Sequence, residues 1–494
     1  MNLKRFFVCV VTAGAVAGAF GCTGFYAGRR VTTDGTTLIG RTMDSYPCNG
    51  LSRLVRLPAG GDVKYPCVMT PFVTALGRGE FAGACINEAG LVLSGTVTAQ
   101  TNDKALAADP FVSKEKGGVG EAQLPGLIAR ACATAREAVE FLGRTVAARG
   151  HNGPEIYMFA DKDESWYVEV YTGHQWAAVK MPEDRVACFG NAFMLGTFAT
   201  NRTDVLYSPR LVATAVEHGF AKWTNRDAGE IDLQATYGAP LSESSSYRAW
   251  YGHHVLAPET AGEYTIGRRF DLFYAPNRRI SPTDIFELMR SRYEGTNFCP
   301  EETGSRLRVI GVTKQMHCHV LQLRHDLPAK FRGTLWFCPA QAEHATFVPV
   351  NASATCLAPA WTRDQVKGPY AYDPERAGDA FLRLDTLAEM KRVQYDANTN
   401  RVDVRPFYGD GVRAYWRAEE RALLVSWPAR LTAAAAKNDA AALTTFTTNL
   451  QTRAFNDARR ILGELQFYMS ENNITRGGAP AIPARPFWPS PSPR

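Results

Sequence analysis

The alternation of apolar and polar positions gives the chain a strand-rich first part and a helix-rich last part. "TGFYAGRRV" and "TLIGRTM" read as two strands, and the intervening "TTDG", with Asp34-Gly35, is a hairpin turn. "FAGACINEAGLVLSGTVT" repeats the pattern, with Asn87 to Gly90 as its turn. Apolar residues at helical spacing follow in "LPGLIARACATAREAVEFLGRTVA". "EIYMFAD", "SWYVEVYTG" and "QWAAVKMP" predict three short strands, and "RVACFGNAF" a further strand that ends in a loop.

The pattern is less regular from about 198 to 280, where "PLSESSSYRAWYG" reads as an insertion or surface segment. Ser281 before Pro282 predicts a capped helix through "SPTDIFELMRSRYEG". "CHVLQLRHDLP", "GTLWFCPA" and "ATFVPVN" return to strand character. From "PERAGDAF" onward the pattern is mostly helical, with "EERALLVSWPARLTAAAAKND" and "LTTFTTNLQTRAFNDARRILGELQFYM" as long amphipathic candidates. Pro428 should break or kink the first of these. The stretch 475–494 is too proline-rich for a packed element and is expected to be an extended or disordered tail. This order predicts an α+β fold, with sheets packed between helical layers rather than alternating parallel units.

The N-terminus adds a different signal. Lys4 and Arg5 precede an uncharged run from Phe6 to Phe20, and Ala19 and Gly21 are small residues at the −3 and −1 positions of a cleavage site. Residues 1–21 therefore read as a signal peptide, and the mature chain is expected to be exported, periplasmic or extracellular. The run is shorter than the roughly 20 apolar residues of a membrane span, and no later stretch reads as one. The chain is 45% hydrophobic, enough for a large core, and its formal net charge is +6. Lys and Arg are scattered, so no nucleic-acid or membrane-binding patch is expected. Apart from Cys9 and Cys22, some of the remaining cysteines are expected to pair in an oxidising compartment. Cys48 with Cys67, and Cys299 with Cys318 or Cys338, are pairings suggested by proximity. No CxxC pair exists, which argues against a structural zinc site.

Cleavage after Gly21 would leave Cys22 at the new N-terminus, with a thiol and a free α-amine on one residue. A thiol is a good nucleophile once deprotonated. An α-amine has an ordinary pKa near ~8, so part of it is neutral near pH 7 and able to take the thiol proton. Pairing across the "TTDG" turn would return Arg41 and Asp44 beside Cys22. The guanidinium would favour the thiolate, and the carboxylate would hold and orient the protonated amine. A Gly-Cys junction is also a lipidation site, and a lipid on the sulfur would abolish its use as a nucleophile. Against that, Ala19 replaces the usual leucine-like residue and Phe20 is bulky.

The mature start, "DGTTLIGRTMDS", "INEAGLVLSGT", "ESWYVEVYTGHQWAAVKMPEDRVACFGNAF", "RYEGT", "HVLQLRHDLP", "GTLWFCPA", "TFVPV" and "YDPERAGDAF" occur in this order. Together they resemble the N-terminal-nucleophile cysteine dipeptidases, the bacterial dipeptidase and secernin group, and more distantly penicillin V acylase and bile salt hydrolase. The resemblance covers roughly residues 22–390. It implies an αββα Ntn-hydrolase sandwich with a helical C-terminal extension over 391–474. It also implies hydrolysis of a dipeptide through an acyl-enzyme on Cys22, supported by Arg41 and Asp44, with no cofactor. Asn191, in "FGNAF", matches an oxyanion-stabilising position. A second oxyanion asparagine of the related acylases is missing, and the matching region carries Thr96 and Thr98, whose hydroxyl or backbone N–H would have to substitute.

Other polar residues have competing readings. Glu169 is a candidate to recognise a substrate amine or an outward-facing strand position. His317 and His319, in "HCH", share a strand face but lack an obvious third ligand, so no metal site is expected. Arg292 and Glu294 fit helix-end electrostatics. Two other functions remain open on the same scaffold: an acylase acting on N-acyl amines, and a non-catalytic, lipid-anchored binding protein.

Overall fold

Two antiparallel β-sheets lie face to face, and helices cover their outer faces. The computed structural model describes residues 21–44, 52–73, 80–364, 372–389, 391–396, 401–406 and 409–471. The first sheet runs Val186–Phe189, β1 (Thr23–Ala27), β2 (Thr37–Asp44), Gln315–Leu323, Gly333–Cys338, Val348–Asn351. The second runs Val205–Tyr207, Trp176–Lys180, Ser165–Val170, Glu155–Ala160, Val92–Thr98, Glu80–Asn87, Cys67–Val73, Val55–Leu57.

Helices Leu124–Ala131 and Ala135–Arg149 cover the second sheet. Their Ile128, Val139, Leu142 and Val146 share a core with Phe159, Trp166, Val168 and Trp176. Helix Pro282–Arg290 covers the first sheet, capped by Ser281 as expected. A Cβ on Gly40 of β2 would lie 2.7 Å from Met289 and 2.9 Å from Ile285 of that helix. These layers form the αββα sandwich that the resemblance implies. The sheet strands near the site are consequently covered on both sides. Every residue of β2, Glu155–Ala160, Ser165–Val170 and Gln315–Leu323 is buried.

The first hairpin forms as its turn signal predicts. Asp34 Oδ1 accepts from the Thr36 N–H at 3.2 Å and the Thr36 hydroxyl at 2.7 Å. Gly35 takes a left-handed φ of 70°, which a glycine adopts without strain. Thr23 then stands opposite Thr42, and Gly24 opposite Arg41. The end of β2 is thereby brought beside the start of β1.

Three expectations need correction. "PLSESSSYRAWYG" is not a surface segment: it supplies the helix Glu243–Leu256, in which Ser245, Ser246, Tyr247, Arg248 and Trp250 are buried. Three of its four serines are satisfied locally, and the Ser244 hydroxyl is buried without a partner. Ser242 caps the helix by accepting from the Ser245 N–H, and the Ser246 hydroxyl donates to the Arg268 carbonyl at 2.8 Å. Second, of the break or kink expected at Pro428, the break does not occur, and one helix continues over Gly409–Lys437. Trp427 and Leu431 bury themselves in the core on either side of it, offsetting a proline cost of about 3 kcal/mol. Third, the nine cysteines among the described residues are free thiols. Cys318 does face Cys338 across paired strands, but both are thiols.

The region after 390 opens with a hairpin, Lys391–Asp396 and Arg401–Pro406, before its two long helices, Gly409–Lys437 and Ala440–Glu471. Those helices put Trp416, Trp427, Leu443 and Ile461 into the same core as the first sheet. Among the described residues no helix is long and apolar enough to cross a membrane. The leader up to residue 20, Cys9, Cys48 and the proline-rich tail lie outside the described residues.

Gly24 sets the spacing at the head of β1, because a Cβ there would overlap the Phe189 ring from the neighbouring strand. Gly24→Ala should lower stability by about 1–3 kcal/mol through overpacking, read as a lower denaturant midpoint at unchanged slope.

Candidate active site

The head of β1 and the end of β2 meet at Cys22. The Cys22 side chain is buried, with Sγ 3.7 Å from Met43 Sδ. Arg41, also buried, places Nη2 3.3 Å from Met43 Sδ and Nη1 3.9 Å from Glu121 Oε1. Burial pushes the Cys22 thiol up to about 11. The Arg41 guanidinium is the strongest opposing influence, ahead of the Asp44 and Glu121 carboxyls, which raise it further, and the Asp44 backbone N–H, which lowers it between them.

Asp44 sits at the end of β2, where its backbone carbonyl accepts from the Gly21 N–H at 3.4 Å. Its Oδ2 is paired with Arg308 Nη2, and its Oδ1 is buried without a hydrogen-bond partner. Burial pushes the Asp44 carboxyl up to about 6, against the pull of Arg308, Arg248, the Thr42 hydroxyl and Arg41.

Asn191 follows the strand Val186–Phe189 and is held from both ends of its amide. Nδ2 donates to the Thr98 carbonyl at 2.7 Å, and Oδ1 accepts from Arg248 Nη2 at 2.8 Å. A primary amide has two N–H donors, so Thr98 occupies one of them. Thr98 thus enters the site through its backbone carbonyl. The Thr96 side chain lies outside the described residues, although its strand shifts register between Gly95 and Val97.

Arg248 is the residue that joins these parts. Its Nη1 donates to the Cys22 carbonyl at 2.6 Å, the Thr23 hydroxyl at 3.2 Å and the Gly21 carbonyl at 3.3 Å. Its Nε donates to the Ser244 carbonyl at 3.1 Å. Burial, and then the nearby Arg308 charge, lower its pKa to about 9, so it remains a cation at neutral pH. Nothing in the sequence pattern marks Arg248 or Arg308. The one available signal for the first was aromatic spacing in its helix, with Tyr247, Trp250, Tyr251 and His254 on one stripe.

Glu169 corrects both readings offered for it. It points neither outward nor at an open site. Its carboxylate is buried and accepts from the Tyr167 hydroxyl at 2.8 Å, the Tyr171 hydroxyl at 2.9 Å and the backbone N–H groups of Met194 and Leu195. Four donors fill a carboxylate's acceptor capacity, leaving nothing for a substrate amine. Burial pushes it up to about 7 against those four bonds. It tethers the loop that carries Asn191 to the second sheet.

His317 and His319 face the space between the sheets. His317 Nδ1 lies 2.7 Å from the Ser52 hydroxyl and His319 Nε2 2.9 Å from the Ser94 hydroxyl. Burial, and then Arg41, hold both well below the ordinary histidine value, so they are neutral. Glu343, His344 and Glu389 form a compact group elsewhere. There Arg413 lies 2.8 Å and Arg292 3.9 Å from Glu343, and His344 Nδ1 2.8 Å from Asp385 Oδ1, so this is a matched ion network. Glu294 caps locally, accepting from the Arg292 N–H at 3.0 Å and the Ser291 hydroxyl at 3.2 Å.

A buried cysteine stands at the head of β1, beside the strand end that carries Arg41 and Asp44, in an αββα sandwich. Residues 21–404 match the model of Peptidase family C69, and the chain belongs to that family. It is 29% identical over 364 residues to "Probable dipeptidase B" of Streptococcus pyogenes, covering 67% of this chain and 72% of that one. It is 27% identical over 424 residues to "Probable dipeptidase B" of Lactococcus lactis, covering 77% and 88%. A solved variant of conjugated bile acid hydrolase from Clostridium perfringens is 13% identical, covers 71% of this chain and 97% of that one, and superposes with a TM-score of 0.30.

Two expectations follow. Arg248→Ala would leave the buried Cys22 carbonyl and Thr23 hydroxyl without this donor and should cost about 3 kcal/mol or more in unfolding free energy. The raised Asp44 carboxyl binds its proton more tightly when folded than its ordinary 3.8. Its stabilising contribution is therefore complete below about pH 4 and lost as pH rises through about 6. In the uncleaved chain, Asp44→Asn should flatten that part of the stability–pH curve relative to wild type.

Proposed function

We propose that the protein is an exported dipeptidase whose nucleophile is an N-terminal Cys22. The observation that carries this reading is the Asp44 carboxylate, buried with Oδ1 unpartnered, on the residue whose backbone carbonyl accepts from the Gly21 N–H and whose charge raises the Cys22 thiol. Removal of residues 1–21 would turn the Cys22 backbone nitrogen into an amine at that place. A protonated amine would give Oδ1 a partner. Its charge would draw the Asp44 carboxyl and the Cys22 thiol down from their raised values. The cut would therefore create the base and ease ionisation of the nucleophile in one event.

In this mechanism the Cys22 thiol passes its proton to the α-amine, and Sγ forms a bond to the scissile carbonyl carbon. The carbonyl oxygen takes the negative charge and accepts from the second Asn191 N–H. Collapse breaks the C–N bond as the ammonium returns its proton to the leaving amine. A water activated by the same amine then cleaves the thioester. Arg41 supports the thiolate, and Arg248 fixes the backbone on which it is carried. The names of the relatives favour a dipeptide over an N-acyl amine as the substrate.

Intact mass and N-terminal sequencing of the exported protein should give a chain beginning at Cys22 with a free amine. A lipid on Cys22, or an N-terminus upstream of it, would sink the mechanism. Activity against a panel of dipeptides and N-acyl amines should favour the dipeptides, and Cys22→Ala should abolish it while the fold remains.

A further inference from the structure

We infer that Arg308 is the anchor for the free α-carboxylate of the substrate, and that it limits hydrolysis to peptides of two residues. The inference deepens the dipeptidase reading above and rests on it.

The two arms of the Arg308 guanidinium have different surroundings. Nη2 is paired with Asp44 Oδ2, whereas Nη1 is buried without a hydrogen-bond partner. The backbone of Arg308 is held, since its carbonyl accepts from the Tyr293 hydroxyl at 2.8 Å. One flank of the guanidinium is packed against Gly21: a Cβ there would lie 2.7 Å from Nη2, 2.8 Å from Cζ and 2.9 Å from Nε. Gly21 is the residue immediately before the nucleophile and is lost with the leader. Its departure uncovers this guanidinium one residue from Cys22.

The other cations beside Cys22 are already engaged. Arg248 spends its donors on the Gly21, Cys22 and Ser244 carbonyls, the Thr23 hydroxyl and Asn191. Arg41 lies between the sheets against Met43 and Glu121. Arg308 alone among these three combines a partly exposed side chain, 26%, with an unpartnered donor. A guanidinium binds a carboxylate through two parallel N–H donors, which suits it to this ligand.

Chain length then becomes the selected quantity. In a dipeptide, three backbone bonds separate the scissile carbonyl carbon from the terminal carboxylate carbon, a reach of about 3.6 Å. A cation packed on the residue adjoining the nucleophile lies in range of that carboxylate. In a longer peptide the same place receives a neutral amide, a weaker acceptor for the Arg308 Nη1 donor than a carboxylate.

The test compares a dipeptide, its C-terminal amide and the tripeptide extended at the C-terminus, on the mature enzyme. Wild type should favour the free dipeptide over the amide by about 10–100-fold in kcat/KM, mostly through KM. Arg308→Gln should lower both rates through the lost Asp44 pair but lower the dipeptide far more, bringing the ratio to near one, and Arg308→Lys should restore part of the ratio. A purely structural role in holding Asp44 predicts instead an equal loss on both substrates, and that result overturns the inference. So does a wild type that cleaves the amide or tripeptide as well as the dipeptide. A wild type that cleaves no dipeptide overturns the functional reading, and this inference with it. If Arg308→Gln does not fold, the ratio measured on Arg308→Lys decides: a ratio unchanged from wild type, with both rates lowered alike, counts against the anchor.

Discussion

One buried guanidinium holds the site together. Arg248 reaches from a helix outside the first sheet to the backbone on both sides of the Cys22 α-carbon, and its other arm grips Asn191. The nucleophile and the amide expected to meet the developing oxyanion are therefore fixed relative to each other by one side chain. Hydrogen bonds to a charged donor are stronger than neutral ones, and a planar fork permits little rotation. Arg248 extends the ladder between β1 and Val186–Phe189, whose last pair is Gly24 with Phe189, across the two further residues on each side that lead to Cys22 and Asn191.

The sandwich places that site in a poorly solvated space. Such an environment penalises isolated charge, and the residues around Cys22 respond in two ways. Some are neutral, as the two histidines hydrogen-bonded to Ser52 and Ser94 are. Others are matched, as Asp44 is with Arg308. The exception is Cys22 itself, whose thiol is held protonated by burial despite Arg41. On the proposed reading, the arrangement keeps the nucleophile quiet until a further positive charge is supplied next to it.

The parts of this site legible in the sequence are those specified by local chemistry. Asp34-Gly35 fixes a tight turn, the turn fixes the register, and the register alone brings Arg41 and Asp44 to Cys22. Asn191 came through resemblance rather than spacing. The misread parts share a physical cause. Glu169 looked like an outward strand position because alternation separates inside from outside only when one sheet face meets water. Here the strand is covered on both faces, so a buried carboxylate with four donors stands where a solvated one was a reasonable expectation. The serines before Arg248 suggested a surface loop, although capping by Ser242 and the Ser246 bond to a backbone carbonyl let the helix that follows go inside. Arg308 lies in a segment without periodicity, and only folding brings it to Asp44.

The packing of Gly21 on Arg308 also ties together two demands that are otherwise unrelated. A leader-cleaving enzyme wants a small residue before the cut, and the folded chain wants no Cβ at that same position. An alanine there would satisfy the first demand while pushing the guanidinium away from Asp44. On the proposed processing, a genetic lesion at position 21 is ambiguous by construction: in the precursor it would alter the cleavage junction and the packing beside the Arg308–Asp44 pair together, and a phenotype traced to it belongs to both until the two are measured apart.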